Sequence, residues 1–315
     1  MALLIDGIPT LQRTRLRTLY YNYKMKELED ISVWRAIGSV EQDNVLDEAA
    51  KRLAPDFVLE QKESYVSVRT ATFRHTATQL DFVLVVGGEF RMGFSESEEI
   101  SALAIGATLP VLPEELRPVH SVRVQPFLIT KFPIQKAFAQ SLVDLDADVF
   151  RPEFSGESDS VPIYLTRKEA ETICRETGFD LPSEAQWEYA CRGGTASLFY
   201  FGDRLPDNRT LSDEILLARF DDLEVNKRAA NPFGLVGLCV GEWCRDGYRP
   251  YGSNRVTGDD AAPGGSPYVV RGGAASLWPW QDGSEWFLCV SAMRWSSEIL
   301  EGNTCSMRLM CRLGF

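Results

Sequence analysis

The stretch LPSEAQWEYACRGG, residues 181–194, has the features of a short helix with defined ends. Ser183 followed three residues later by Gln186 is a capping box, in which each side chain accepts a hydrogen bond from a backbone N–H of the first turn. Gly193 and Gly194 readily adopt the left-handed conformation in which many helices end. The stretch therefore predicts a helix that begins after Ser183 and ends at Gly193.

A second capped helix is predicted just upstream. Thr166 and Glu169 have the same capping-box spacing, and apolar residues continue to about Thr177. Gly178 then provides the left-handed stop. Two short helices in succession are thus expected before the loop-rich C-terminal part of the chain.

Alternating segments on the N-terminal side of these helices predict strands. FVLVVGGEFRMG, residues 82–93, has two apolar runs around a Gly-Gly turn, and HSVRVQPFLITKFPI, residues 120–134, has another strand pair. After residue 194 the chain is rich in Gly, Pro, Asp and Trp, with only short apolar pieces. Long loops of this kind are usually functional.

Residues 1–79 differ in composition and predict a separate N-terminal extension. Apolar residues over 11–30 suit a helix face, a second helical pattern covers about 41–53, and YVSVRTATFRHTAT, residues 65–78, alternates as a half-exposed strand would. We expect a small extension packed on a main domain of residues 80–315. The alternative is a docking module for a protein partner.

The composition is that of an ordinary globular protein. Of 315 residues, 44% are hydrophobic and 25% are charged, and no apolar run reaches the ~20 residues that span a membrane. The apolar stretch near the first residue is too short for a signal peptide and its basic residues follow it, so we expect a cytoplasmic protein. The net charge of −12 disfavours binding to a nucleic-acid backbone.

Cysteine and histidine usage limits the chemistry that is available. Seven cysteines, an odd number, without a signal peptide predict free thiols rather than a disulfide framework. The sequence has no CxxC motif and only two histidines, His75 and His120. A zinc site or a Ser-His-Asp triad is therefore not expected.

The motifs occur in an order that resembles the formylglycine-generating-enzyme, or sulfatase-modifying factor, domain. The resemblance covers roughly residues 80–315, and LPSEAQWEYACRGG is its most specific element. It implies an α+β fold of the C-type-lectin-like class that is loop-rich, with two helices against a short twisted sheet. The other segments that support it are FVLVVGGEFRMG, HSVRVQPFLITKFPI, NPFGL at 231–235, GEWCRDGY at 241–248 and VVRGG at 269–273.

The chain departs from the enzymes of that family at the redox site. The family's oxidases have a cysteine pair shortly after an RGGS motif, and the pair holds copper, since soft thiolates suit Cu(I). Here RGG at 271–273 is followed by residues 276–278 without a cysteine, and Cys289 is the only thiol of the region. Cys305 and Cys311 do not match the spacing of the pair. We therefore expect no enzyme activity and no cofactor; the alternative is a copper-dependent oxidase.

The family's calcium-binding loop is also altered. FGLVGLCVGEWCRD, residues 233–246, is two residues shorter than the family pattern, and Cys239 stands where a ligating Asn would be. Glu242 remains, but one carboxylate provides few of the six to eight oxygens that Ca²⁺ takes. Glu242 is therefore a weak candidate for a structural calcium site. The GFR ending is altered too: SMRL at 306–309 takes its place, and MCRLGF is predicted to add a strand.

The C-terminal segment, residues 271–315, resembles that of the variable proteins of diversity-generating retroelements. In those proteins adenine-directed mutagenesis of Asn-type codons rewrites the end of a C-type-lectin-like domain, and the altered residues form an exposed ligand-binding face. Such codons never yield Trp, Met, Gln, Glu or Lys. The predicted variable face here consists of Ala274, Ala275, Leu277, Phe287, Leu288, Cys289, Val290, Ser291, Ser296, Ser297, Asn303, Thr304, Cys305 and Ser306.

We therefore predict a non-enzymatic binding protein whose ligand is a protein or a cell-surface epitope. The alternative to diversification is a family member with a fixed binding or regulatory role. Large buried aromatics and charged residues that tie loops together are expected to form the scaffold. These scaffold residues are Trp187, Glu188, Trp243, Arg271, Trp278, Trp280, Trp286, Arg294 and Trp295.

Overall fold

The computed structural model describes residues 25–66, 68–106, 113–149, 162–204, 230–252, 265–273, 289–299 and 304–313. The described residues form six α-helices: α1 (Ile31–Ala36), α2 (Ser39–Leu53), α3 (Glu96–Ala104), α4 (Lys136–Gln140), α5 (Arg167–Thr177) and α6 (Glu184–Arg192). The strands are β1 (Phe57–Tyr65), β2 (Val68–His75), β3 (Asp81–Val85), β4 (Gly88–Met92), β5 (His120–Val124), β6 (Phe127–Thr130), β7 (Leu165–Thr166), β8 (Glu242–Gly247), β9 (Tyr268–Arg271), β10 (Arg294–Ser296), β11 (Thr304–Cys305) and β12 (Met310–Arg312).

The strands form one larger sheet and three small ones. The larger sheet is antiparallel, with strand order β1-β2-β3-β6-β12. A second sheet has the order β10-β9-β8, and the pairs β11-β7 and β4-β5 complete the set in the described residues. Because β12 pairs with β6, the predicted extra strand after residue 309 is confirmed.

The predicted hairpin over residues 82–93 is wrong in its pairing. β3 pairs with β6, and β4 pairs with β5. Leu84 lies opposite Leu128 and Phe90 opposite Val122, so both ladders keep one register. The segments 81–92 and 120–130 are therefore one long antiparallel pair, interrupted in the middle.

The interruption lies where the backbone of Gly87 approaches Pro126. Proline has no N–H to donate to a ladder, and a Cβ on Gly87 would lie 2.9 Å from the nitrogen of Pro126. The N–H of Gly87 donates instead to the carbonyl oxygen of Leu28 at 2.7 Å. Because the ladder is interrupted here, the N–H of Gly87 is free to bind Leu28 in the N-terminal part of the chain.

The N-terminal part is continuous with the main core. β1 and β2 belong to the same sheet as β3, and Trp34 packs in the same hydrophobic cluster as Trp187. The predicted boundary between residues 79 and 80 therefore falls inside a sheet, and it does not separate two cores. The predicted helix at 41–53 is confirmed by α2, whereas most of the predicted helix at 11–30 lies outside the described residues.

Both predicted capping boxes are present. Thr166 and Glu169 cap α5, Ser183 and Gln186 cap α6, and each pair makes both reciprocal hydrogen bonds. The helices end at Gly178 (φ 77°) and Gly193 (φ 59°), both in the left-handed region. In the described parts of the chain, no helix is long and apolar enough to cross a membrane.

Candidate functional site

Helix α6 lies in the interior, and it positions two acidic side chains against β9. All nine of its residues are buried. Nη2 of Arg271 lies 2.8 Å from Glu184 and 2.8 Å from Glu188, one turn later on the same helix face. Arg271 is therefore neutralised by two carboxylates without access to solvent.

Arg271 also joins the two chain segments on either side of residues 274–288. Its Nη1 donates to the carbonyl oxygens of Ala292 at 3.0 Å and Met293 at 3.2 Å. β9 and β10 pair beside this contact, with Arg271 opposite Arg294. The entry and the exit of the segment are thus held together by strand pairing and by one buried guanidinium.

Arg294 extends this network toward two tyrosines. Its Nε lies 2.7 Å from Glu184, and its guanidinium carbon lies 4.4 Å and 4.3 Å from the ring centroids of Tyr248 and Tyr251. Burial raises the pKa of Tyr251, although the nearby Arg271 opposes this. The tyrosine therefore stays neutral, and its hydroxyl accepts a hydrogen bond from Arg271 at 2.6 Å. Arg271 and Arg294 thus tie loops to carboxylates and to backbone carbonyls.

Glu242 is a partner of Arg308, which corrects its candidacy as a calcium ligand. Both side chains are 0% exposed, and Nε of Arg308 lies 2.9 Å and 3.1 Å from the two carboxylate oxygens. The indole N–H of Trp187 donates to the same carboxylate at 2.8 Å. A divalent cation at this carboxylate would be repelled by the positive charge of Arg308. Glu242 therefore acts here as a structural hydrogen-bond acceptor.

Two glycines bring the start of segment 274–288 against residues 238–240. Gly272 has φ 85°, and a Cβ there would overlap the carbonyl oxygen of Val240. A Cβ on Gly273 would overlap the carbonyl oxygen of Cys239. The RGG motif is therefore required for close backbone approach.

The end of the same segment returns to Cys239. The thiol of Cys239 lies near the thiol of Cys289 and the hydroxyl of Tyr200. Cys191 lies beside this group, and the buried hydroxyl of Ser291 lies near its thiol. The structure thus corrects the expectation that Cys289 has no second sulfur: Cys239, fifty positions earlier in the sequence, provides it.

Cys191 and Cys239 are held in the protonated form. Burial raises the pKa of Cys191 to about 12 and raises that of Cys239 well above its usual range. Cys305 and Cys311 are located elsewhere, in β11 beside Leu165 and in β12 beside Leu128. Among the residues described here, no group of three or more His, Cys, Asp and Glu side chains could hold a metal ion.

Half of the predicted variable face is inside the protein. A residue that contacts a ligand must be reachable from solvent, so the prediction of exposure is wrong for the buried members. They are Cys289, Val290, Ser291, Ser297, Thr304, Cys305 and Ser306. Backbone pairing explains several of them: Thr304 lies opposite Thr166, and the N–H of Ser291 donates to the carbonyl oxygen of Leu198.

The remaining predicted positions fall into two groups. Ser296 is partly exposed. Ala274, Ala275, Leu277, Phe287, Leu288 and Asn303 lie outside the described residues and stay predictions.

The predicted scaffold residues within the described ranges are confirmed as buried, apart from Trp295, which is partly exposed. Trp187 and Trp243 are at most 1% exposed, and Glu188 is 0% exposed. Trp278, Trp280 and Trp286 lie outside the described residues. Glu184 and Tyr251 were not among the predicted scaffold residues, although Glu184 directly follows the capping residue Ser183 in the sequence.

An open pocket of about 1130 Å³ lies between β4, α3 and the end of α6. Phe90, Phe94 and Tyr189 line its apolar part. Arg192, at its wall, is 2.9 Å from both Glu98 and Glu188. The charge of Arg192 is thus already paired. None of the cysteines of the thiol cluster lines this pocket.

A family model described as the sulfatase-modifying factor enzyme 1-like domain matches residues 69–297. The chain belongs to this family. The match begins within β2, which agrees with the inclusion of that strand in the main sheet. The predicted family is therefore confirmed.

Two named relatives of this chain carry different names. The formylglycine-generating enzyme of Streptomyces coelicolor is 28% identical over 254 residues, covering 61% of this chain and 77% of that protein. The serine/threonine-protein kinase Pkn1 of Chlamydia trachomatis is 27% identical over 229 residues, covering 66% of this chain but 35% of the kinase. This chain thus spans about a third of the kinase's length.

A solved structure confirms the predicted α+β, C-type-lectin-like fold of this family member. Treponema denticola variable protein 1 superposes with a TM-score of 0.50 and 16% sequence identity, covering 80% of this chain and 99% of that chain. At this identity the likeness concerns the fold.

Proposed function

We propose that this protein is a non-enzymatic binding protein of the retroelement-diversified kind, which presents segment 274–288 to a protein or cell-surface ligand. The observation that supports this best is the contact of Arg271 with Ala292 and Met293. It fixes both ends of the segment on a buried framework. The fold shared with a variable protein supports the same proposal.

The burial pattern separates residues for stability from residues for binding. Surface substitutions usually change stability by less than about 0.5 kcal/mol, whereas changes in a packed core cost several times more. Diversification is therefore proposed at Ala274, Ala275, Leu277, Phe287, Leu288, Ser296 and Asn303. The buried members of the original set, Cys289 to Ser291, Ser297 and Thr304 to Ser306, belong to the framework instead.

The chemistry of the thiol cluster also favours binding over catalysis. Cys191 and Cys239 have raised pKa values because burial disfavours the thiolate. His75 packs against Phe57, Phe82 and Phe179, away from any of these sulfurs. A nucleophile and an adjacent base are thus not combined in the cluster.

The DNA beside the gene tests the proposal. A diversified protein requires a nearby, almost identical template repeat whose differences fall at adenines, together with a reverse transcriptase gene. We expect the differences to map to codons 274–288, 296 and 303. A genome without such a repeat would overturn diversification and leave a binding protein of fixed specificity.

The contact between Cys239 and Cys289 favours a second candidate, a copper-dependent oxidase of the formylglycine-generating type. The two sulfurs are donors that suit Cu(I) in type and in number. A bound copper ion would supply the redox chemistry that the side chains lack. The raised pKa of Cys239 opposes this candidate, because metal binding requires the thiolate.

Anaerobic titration with Cu(I) against a chromophoric chelator separates the two candidates. The binding protein should take up less than one copper ion per chain, and Cys239→Ala should not change this. Stoichiometric copper that is lost in Cys239→Ala and kept in Cys305→Ala would instead support the oxidase.

A further inference from the structure

The pocket between β4, α3 and the end of α6, which we call the aromatic pocket, has buried polar groups that already bind one another. The buried Tyr189 donates its hydroxyl to the carbonyl oxygen of Val86 at 2.9 Å. The buried Arg192 lies 2.9 Å from both Glu98 and Glu188. The inner part of the pocket therefore presents mainly apolar surface to a ligand.

Two aromatic rings provide much of this surface. Phe90 is partly exposed and packs edge-on against Tyr189, with ring centroids 5.3 Å apart. Such rings give a large contact area to an apolar group. The pocket volume of about 1130 Å³ is slightly above the range of about 300–1,000 Å³ that is usual for small-molecule sites. An open pocket of this size suits a side chain of a larger partner together with its neighbours.

Strand β4 borders the aromatic pocket with three consecutive residues, Glu89, Phe90 and Arg91. It pairs with β5 along one edge, and its other edge has no strand beside it in the part of the chain that the structure describes. A strand edge of this kind can bind an extended peptide through main-chain hydrogen bonds, while adjacent pockets select its side chains. The pocket and the edge together match this mode of recognition.

The charges at the rim of the pocket favour a cationic partner. Glu96 is exposed and has no ion-pair or hydrogen-bond partner among the described residues, and Glu89 contacts only the hydroxyl of Ser121. Arg91 donates to the carbonyl oxygen of Val119 at 3.3 Å. The remaining charged residues of the lining are held in ion pairs. Two carboxylates against one guanidinium leave the rim negative, and the net charge of −12 attracts cations at longer range.

We propose that the aromatic pocket is a docking site for an extended, basic segment of a partner protein. One large apolar side chain of this segment packs against Phe90 and Tyr189, and its backbone pairs with β4. Lysine or arginine side chains on either side lie beside Glu89 and Glu96. Apolar burial provides most of the affinity, since exposed ion pairs contribute little, and the charges select the partner.

This docking site is independent of the proposed variable segment. Among the described residues, none beyond Ala196 lines the aromatic pocket. The partner that binds here is therefore distinct from the ligand of segment 274–288. Failure of either proposal leaves the other unaffected.

Selection of a phage-displayed library of random heptapeptides on the immobilised full chain tests the proposal. The exposed Ala196 lines the pocket, so Ala196→Trp fills its mouth and serves for counter-selection. We expect the peptides specific for the wild type to combine one large apolar residue with at least two Lys or Arg residues. A selected heptapeptide labelled with fluorescein should bind Ala196→Trp at least about tenfold more weakly than the wild type in fluorescence polarisation.

Matched variants separate a filled pocket from a disturbed fold. Ala104→Trp should keep the wild-type affinity, because Ala104 is also exposed but does not line the pocket. Should the circular dichroism spectrum show that Ala196→Trp is unfolded, Ser97→Trp replaces it, since Ser97 is an exposed residue on the α3 side of the same pocket.

The charges are tested with the same labelled heptapeptide. Glu89→Gln/Glu96→Gln should weaken its binding about two- to tenfold at low salt and less at high salt. Arg91→Gln is the control and should not weaken it. A selection without enriched peptides, an acidic consensus, or equal affinity for the wild type and the filled pocket would overturn the proposal.

Discussion

Arg308 and Glu242 form a fully buried ion pair that joins the end of the chain to its centre. Arg308 also donates to the carbonyl oxygens of Thr130 at 3.0 Å and Lys131 at 2.7 Å, and contacts that of Val236. One guanidinium thus links β6, the loop before β8 and the approach to β12. These contacts are made by the arginine of SMRL, residues 306–309.

Replacing Arg308 with methionine should strongly destabilise the protein. The substitution leaves Glu242 buried without its counter-charge, which typically costs about 3–5 kcal/mol. Urea unfolding of Arg308→Met should show a loss of this size. The double variant Glu242→Gln/Arg308→Met should recover at least about 1 kcal/mol, because the orphaned charge is gone. Equal losses in the single and double variants would argue against the pair.

Gly273→Ala should disturb the close approach of the backbone at Gly273 to Cys239. The added Cβ would overlap the carbonyl oxygen of Cys239, which is backbone and cannot rotate away. We expect a loss of about 1–3 kcal/mol in the free energy of unfolding, as for other overpacked sites. Gly252→Ala is the matched control, since a Cβ at Gly252 meets nothing within 4 Å. Two variants of equal stability would show that the close approach is not required.

His75 should make stability fall in acid. Burial lowers its pKa from 6.5 to about 4. Between these two values the unfolded chain binds more protons, so the free energy of unfolding decreases as pH falls from 6.5 to 4 and levels off below. A shift of this size corresponds to about 3 kcal/mol.

The contribution of His75 can be isolated by comparison with a residue that does not titrate. Urea unfolding of the wild type and of His75→Gln at pH 7 and at pH 4 gives the difference directly. The wild type should lose about 3 kcal/mol more than the variant over this range. Parallel pH profiles would mean that the ring is already exposed or charged in the fold.

Local features of the fold were predictable from sequence because they depend on neighbouring residues. The capping boxes at Thr166 and Ser183 are such features, since spacing alone determines them. The pairing of 82–93 was not, because the long pair of β3–β4 with β5–β6 is interrupted where Gly87 approaches Pro126. That relationship joins residues nearly forty positions apart.

The candidate site shows the same division. Arg271 was predicted as a scaffold residue, and the structure places it in the interior. The RGG motif was visible in the sequence, and the structure shows why its two glycines are needed. The contact of Cys239 with Cys289 was not predictable from spacing, since fifty residues separate them. The burial of Thr304 was also hidden, because it follows from pairing with Thr166 in another part of the chain.

A saturation library over codons 269–310, sorted for protease resistance and sequenced, tests the separation of framework and binding residues most directly. We expect substitutions at Ala274, Ala275, Leu277, Phe287 and Leu288 to survive at frequencies close to the wild type. Substitution of the buried Ser291, Thr304 and Ser306 by residues with large side chains should be depleted at least about tenfold. Equal depletion in the two groups, or tolerance of the buried group, would contradict a variable binding segment on a fixed framework.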